Sequence, residues 1–134
     1  MNIFQHKSIN LTLLFTLLIA GGLYKTASGQ ADTIMRMCTQ YMIPPYVSDG
    51  QQYRALITQG ETAEFYTTFY GGSSYRIVSC SGLSEGSLIF SVYDKDRNLL
   101  FTNEDYNNSP YWNFKFESTV DCIIEARLAE SERS

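Results

Sequence analysis

The sequence predicts an all-β domain, an antiparallel β-sandwich of jelly-roll-like type with one short helix on its N-terminal side. Three observations carry this prediction. Between residues 46 and 128, apolar and polar side chains alternate with period two through about seven short segments at roughly 10-residue spacing. Glycine, asparagine, aspartate and proline lie between the segments, where turns require them. Within the segments, β-branched and aromatic residues dominate, as a half-buried pleated surface prefers.

The candidate strands follow one another along the chain. They are 53–57, 63–70, 74–80, 88–94, 98–103, 111–117 and 120–128. Because side chains alternate between the two faces of a strand, every second position of these segments is expected to face the core. The predicted core comprises Phe65, Phe69, Ile77, Phe90, Val92, Phe101, Phe114, Phe116 and Ile124.

Residues 1–29 predict a secretory signal peptide. A single cation, Lys7, precedes an apolar run of about 15 residues, which is shorter than the about 20 residues of a membrane span. Small residues at 27–29 then offer a cleavage site. The predicted location is therefore periplasmic or secreted, with no transmembrane segment after cleavage. An uncleaved N-terminal anchor is the alternative.

Residues 30–45 predict a short helix and a lead-in to the sandwich domain at 46–128, and residues 129–134 form a predicted polar tail. Asp32 is placed to cap the helix, and Pro44-Pro45 is expected to end it. The apolar positions that recur at helical spacing are Ile34, Met37, Cys38 and Tyr41. We expect this apolar face to cover the core as a lid; a partner-binding helix is the alternative.

With these strands in place, the chain resembles the bacterial pre-peptidase C-terminal domain, a small secreted β-sandwich. The resemblance covers about residues 60–128 and lies in the order of "YRIVSC", "SLIFSVYDKDRNLLFTNEDY", "YWNFKF" and "DCIIEARL". The stretches "PPYVSDGQQYRAL", "FYGGSSYRI" and "DYNNSPYWNFKF" are similar to small uncharacterised exported proteins of Gram-negative bacteria. Both resemblances imply an exported β-sandwich, and neither implies an activity.

Charge and histidine content argue against two classes of function. The whole chain has 10 Lys and Arg against 14 Asp and Glu. Lys7 and Lys25 belong to the predicted signal peptide, so the exported part keeps 8 cations against 14 acids, a net charge of −6. Nucleic-acid binding needs the opposite sign. The only histidine, His6, also lies in the signal peptide, so a Ser–His–Asp or Cys–His site has no base. We therefore expect no enzyme activity and no cofactor.

Three cysteines lie in the exported part, so at least one of them has no partner within the chain. An oxidising compartment makes a disulfide plausible. Cys80 and Cys122 both lie in predicted strands, and we favour the Cys80–Cys122 bridge. A bridge from Cys38 to one of these two is the first alternative, and the absence of any bridge is the second.

An acidic stretch at 94–98 raises the question of a calcium loop. Asp94, Asp96 and Asn98 occupy positions 1, 3 and 5 of such a loop, and Asp105 occupies position 12. Position 6, where the loop needs glycine, is Leu99. Asp and Asn also favour tight turns by bonding their own backbone. We therefore predict a turn between two strands and no metal site.

The strongest candidate binding residues lie in the loop before the strand 111–117: Tyr106, Asn107, Asn108 and Tyr111. Aromatic rings can cover the apolar faces of a sugar, while amides bond its hydroxyl groups.

The first functional hypothesis is a non-catalytic exported binding or accessory module that meets an unknown protein of the cell envelope. The alternative is a carbohydrate-binding module that uses the 106–111 loop, with a glycan as ligand.

Overall fold

The computed structural model describes residues 28–130 and contains one α-helix and six β-strands. Residues 1–27 of the predicted signal peptide and residues 131–134 of the predicted tail lie outside this range. In chain order the elements are α1 (Ser28–Thr39), β1 (Thr62–Phe69), β2 (Ser74–Val78), β3 (Leu88–Asp94), β4 (Leu99–Thr102), a 3₁₀ helix (Asn103–Tyr106), β5 (Tyr111–Lys115) and β6 (Val120–Leu128).

The strands form two antiparallel sheets. One sheet has four strands in the order β1-β6-β3-β4, and the other pairs β2 with β5. Neither sheet closes on itself, so the architecture is a sandwich and not a barrel. The predicted all-β sandwich with a short helix on its N-terminal side is confirmed.

The core lies between the two sheets and is built from alternate positions of every strand. Phe69, Val92, Cys122 and Ile124 form its buried centre. Side chains from both sheets pack against this centre: Phe65, Tyr75, Ile77, Phe101, Phe114, Phe116 and Val120. Phe90 is also buried, with its ring centroid 5.6 Å from that of Phe101. All nine predicted core residues therefore lie in the core or against it.

The predicted helix and the first predicted strand both need correction. α1 begins at Ser28, so Asp32 lies inside the helix and does not cap it. It ends at Thr39, and a turn from Tyr41 N–H to the Cys38 carbonyl (3.1 Å) closes it before the prolines are reached. Residues 53–57, predicted as a strand, have no regular structure. Leu56 is 96% exposed, so this apolar side chain of the segment buries almost no surface.

The predicted Cys80–Cys122 bridge is wrong, since the structure joins Cys38 to Cys80 with 5.7 Å between their Cα atoms. Cys122 lies on the core-facing side of β6 and is buried there as a free thiol. Burial raises its pKa, with smaller contributions from nearby acidic side chains. Cys122 therefore packs as a small apolar group. Cys80 lies just after β2 in the opposite sheet, where the end of α1 reaches it.

The disulfide and one arginine hold the N-terminal segment on the outer face of the two-stranded sheet. Arg76 of β2 donates a hydrogen bond from Nη1 to the Tyr41 carbonyl (2.7 Å) and one from Nε to Oδ1 of Asn113 (2.7 Å). Its guanidinium lies between the rings of Tyr46 and Tyr111, at 4.4 and 4.6 Å from their centroids. Cation–π contacts of this kind add to the hydrogen bonds. Tyr41, a member of the predicted apolar face, thus covers the outer face of the two-stranded sheet and not the core, contrary to the predicted lid.

Candidate functional site

The acidic stretch between β3 and β4 is a tight turn held by the side chain of Asp94. Its Oδ1 accepts hydrogen bonds from the backbone N–H groups of Asp96 (2.9 Å) and Asn98 (2.8 Å), and its Oδ2 accepts one from Asn98 Nδ2 (2.8 Å). These bonds, above all those from Asn98, lower the pKa of Asp94. Arg97 has a φ of 63°, the left-handed geometry of a tight turn. The predicted turn is confirmed.

The remaining candidate metal ligand is not placed with this turn. Asp105 belongs to the 3₁₀ helix, beyond the opposite end of β4. Leu99, at the position where a calcium loop needs glycine, begins β4. Within residues 28–130, no group of three or more His, Cys, Asp or Glu is arranged to hold a metal ion.

Asn103 organises the segment between β4 and β5, and its role was not predicted from the sequence. Its side chain is fully buried at 0% exposure. Oδ1 accepts from Phe90 N–H (2.9 Å), while Nδ2 donates to the carbonyls of Leu88 (3.1 Å) and Ser109 (3.0 Å). Three hydrogen bonds therefore join the start of β3 to both ends of the segment. The sequence offered one indication of this role, an asparagine directly after an apolar strand. An asparagine at such a position is equally compatible with a solvent-exposed turn.

The 3₁₀ helix presents Tyr106 beside an aromatic cluster. The Thr102 hydroxyl caps this helix by accepting from Glu104 N–H (3.3 Å). Tyr106 follows with its ring 4.2 Å from that of Trp112 and 5.6 Å from that of Phe101. The ring is half-exposed at 48%. Tyr106 therefore combines a fixed position with a surface that a ligand can reach.

Tyr111 does not join Tyr106 in one site. It is the neighbour of Trp112 on β5, and successive side chains of a strand point to opposite faces. Its ring lies 5.4 Å from that of Tyr41 and beneath the guanidinium of Arg76. The N-terminal segment thus covers Tyr111, while Tyr106 packs on the other side of β5.

The two asparagines of the loop also have different roles. Asn108 is partly buried, and its Nδ2 donates to the carbonyl of Gly86 (3.0 Å). Its backbone N–H donates to the Asn103 carbonyl (3.0 Å), which closes the 3₁₀ helix. Asn107 is exposed, with a left-handed φ of 55°. Of the four predicted binding residues, the structure leaves Tyr106 and Asn107 open to a ligand.

A second exposed apolar feature lies directly before this helix. β4 pairs with β3 through an irregular register, in which Tyr93 faces Leu99 and Val92 faces Phe101, so Leu100 is the extra residue of a bulge. Leu99 and Leu100 are 54% and 50% exposed. We call Leu99, Leu100 and Tyr106 together the β4 surface. Leu99 and Leu100 are thus presented to solvent on the edge strand of the four-stranded sheet, and Tyr106 is half-exposed beyond the far end of that strand.

An ion pair holds the 3₁₀ helix against the sheet. Arg127 of β6 donates from Nη2 to Oε2 of Glu104 at 2.6 Å. Both side chains are substantially exposed, so the pair contributes little stability by itself. Together with the buried amide of Asn103 it fixes the position of Tyr106 relative to β4.

Comparison with known proteins provides no family assignment: no family model, no curated protein and no solved structure matches the chain. Among residues 28–130, no helix has the length and apolar character needed to cross a membrane.

Proposed function

We propose that this chain is a non-catalytic exported binding module of the bacterial cell envelope, and that it meets a protein partner through the β4 surface. The observation that carries the proposal is the exposure of Leu99, Leu100 and Tyr106 within eight consecutive residues. Single exposed apolar residues are ordinary, whereas grouped ones favour a contact site. Aromatic side chains on rigid supports are also the usual anchors of protein interfaces.

The Cys38–Cys80 disulfide supports the exported location, because such bonds persist in oxidising compartments. The predicted signal peptide and the resemblance to a secreted β-sandwich domain point the same way. Export to the envelope would place the module among potential protein partners.

The test is capture from envelope extract with the purified exported chain as bait. We expect one protein partner in stoichiometric amount. The double variant Leu99→Ser, Leu100→Ser should lose this partner, because it removes the apolar anchors from an exposed strand and leaves the core in place. The matched control is Tyr66→Ser, which removes a large exposed side chain from β1. Equal capture by all three proteins would overturn the proposed surface.

A carbohydrate-binding module is the second candidate, favoured by the half-exposed ring of Tyr106 next to the exposed amide of Asn107. A glycan array distinguishes it from the first. A glycan signal lost in Tyr106→Ala and kept in Tyr111→Ala would support it, because Tyr111 is covered by the N-terminal segment. The absence of any glycan signal, together with capture of a protein, supports the first candidate.

A further inference from the structure

The two edges of the four-stranded sheet differ in how well they are protected from pairing with another strand. β4 has four residues and a bulge, and both features discourage edge-to-edge association. β1 has eight residues, and its register with β6 is regular from Thr62 to Phe69. An edge strand that is long and regular is a template for a further strand.

The outer edge of β1 is unoccupied in the described part of the chain. Among residues 28–130, no backbone group of β1 is hydrogen-bonded outside its ladder with β6. The ring of Tyr53 packs on Phe65 at 4.9 Å, but this contact uses side chains only. A row of backbone donors and acceptors is therefore left for another strand.

β1 also lacks the residues that usually protect an exposed edge. Its sequence, TAEFYTTF, contains no proline and no lysine. Its one charged residue is Glu64, and both carboxylate oxygens of Glu64 accept from Arg97, at 2.8 and 2.9 Å. Arg97 thus offsets part of the charge that would repel a second strand.

We propose that β1 pairs antiparallel with β1 of a second copy of this chain, around a two-fold axis at Tyr66, to give a continuous eight-stranded sheet. In an antiparallel pair of strands, two directly opposed residues have their side chains on the same face of the sheet. The two-fold axis must therefore pass through a residue and not between two residues. An axis at Tyr66 places Glu64 opposite Thr68 and Phe65 opposite Thr67, so that no like charges meet.

Neighbouring positions of the axis are less suitable. An axis at Glu64 would place two carboxylates directly opposite each other, which destabilises a strand pair. An axis at Phe65 would bring together two rings whose surroundings are already occupied by Tyr53. Tyr66 is 69% exposed and so has the most surface to bury, and aromatic pairs across antiparallel strands are stabilising.

This inference goes beyond the proposed function and uses the opposite edge of the sheet. Its test is the oligomeric state of the exported chain by sedimentation over a range of concentrations. We expect a dimer whose dissociation constant rises at least tenfold in Tyr66→Lys, because two lysines would then face each other across the axis. Leu100→Lys, which places the same charge on the other edge strand, should remain dimeric even where it loses a protein partner. A monomer at all concentrations, or a dimer lost in Leu100→Lys and kept in Tyr66→Lys, would overturn the proposal.

Cross-linking tests the register independently of any loss of folding. Tyr66→Cys should form a disulfide between copies, because residues at the axis have Cα atoms only about 5 Å apart. Thr68→Cys should not, because the two copies of that residue would be offset by four positions, about 13 Å along the strand. A dimer in which position 68 cross-links and position 66 does not would contradict the axis.

Discussion

Replacement of Asn103 tests how the segment that carries Tyr106 is held in place. Asn103→Ala removes three hydrogen bonds from a fully buried site, and it leaves the N–H of Phe90 and the carbonyls of Leu88 and Ser109 without their partner. A buried polar group left unsatisfied costs about 1–3 kcal/mol. At that cost for each group, the three groups together predict a loss of about 3–9 kcal/mol, a large part of the 5–15 kcal/mol that is typical of a folded domain.

The isosteric variant Asn103→Asp separates hydrogen bonding from packing. Its carboxylate can still accept from Phe90, but its second oxygen would face the two carbonyls that Nδ2 satisfies in the native chain. The ionised form is thereby disfavoured, and the pKa of this carboxyl in the folded state is expected to rise above the unfolded value. The deficit in stability relative to the native chain should then be smallest near pH 4 and grow as the pH rises.

Urea unfolding at several pH values measures both effects. Asn107→Gly is the matched control, because it removes an exposed amide at a positive φ that glycine adopts freely, and it should change stability little. A loss below about 1 kcal/mol in Asn103→Ala, the size of a single ordinary hydrogen bond, would show that the three backbone groups do not depend on this side chain. A pH-independent deficit in Asn103→Asp would refute the assignment of Nδ2 as the donor to both carbonyls.

Three further predictions concern the core, the thiols and the β3–β4 turn. Phe90→Ala should cost about 3–5 kcal/mol in urea unfolding, because the ring is buried between the sheets. Non-reducing peptide mapping should find Cys38 linked to Cys80, with Cys122 alkylated only after unfolding. Loss of this disulfide, which joins residues 42 positions apart, should lower the free energy of unfolding by about 4 kcal/mol. The pKa of Asp94 is lower in the folded state than its unfolded value of about 4, so the ionised side chain stabilises the fold at higher pH. This stability is lost as the pH falls through the pKa of the folded state. The native chain should therefore exceed Asp94→Ala in stability at neutral pH, and the difference should shrink in acid. An unchanged urea unfolding curve of Phe90→Ala, a disulfide-linked Cys122, or a stability difference between the native chain and Asp94→Ala that stays constant with pH would each contradict the corresponding assignment.

The six observed strands were predictable because their signal is local, although the same kind of signal at 53–57 predicted a strand that does not form. Alternation places Phe90 and Val92 on one face of β3 whatever their partners are, and a sandwich buries that face. The turn at Asp94 was predictable for the same reason, since its hydrogen bonds reach only two and four residues along the chain. Where side chains interact with near neighbours in sequence, the pattern sufficed.

The errors arose where distant segments meet. Cys122 was predicted to bridge because it lies in a strand, but the choice of partner depends on which sheet each cysteine joins and on where α1 packs. Tyr106 and Tyr111 are five residues apart, but Tyr106 packs on Trp112 while the N-terminal segment covers Tyr111 on the other side of β5. The role of Asn103 was not predicted because its burial depends on contacts with β3 and with the loop that contains Ser109. Sequence spacing does not determine any of these long-range contacts.

We propose that the β4 surface is where this module meets its protein partner. Hydrogen–deuterium exchange of the exported chain, alone and saturated with the captured partner, tests it directly. We expect slower exchange at the backbone of residues 99–106 in the complex, with β2 unchanged because the N-terminal segment already covers it. Slower exchange confined to β2 and β5, with residues 99–106 unaffected, would contradict it.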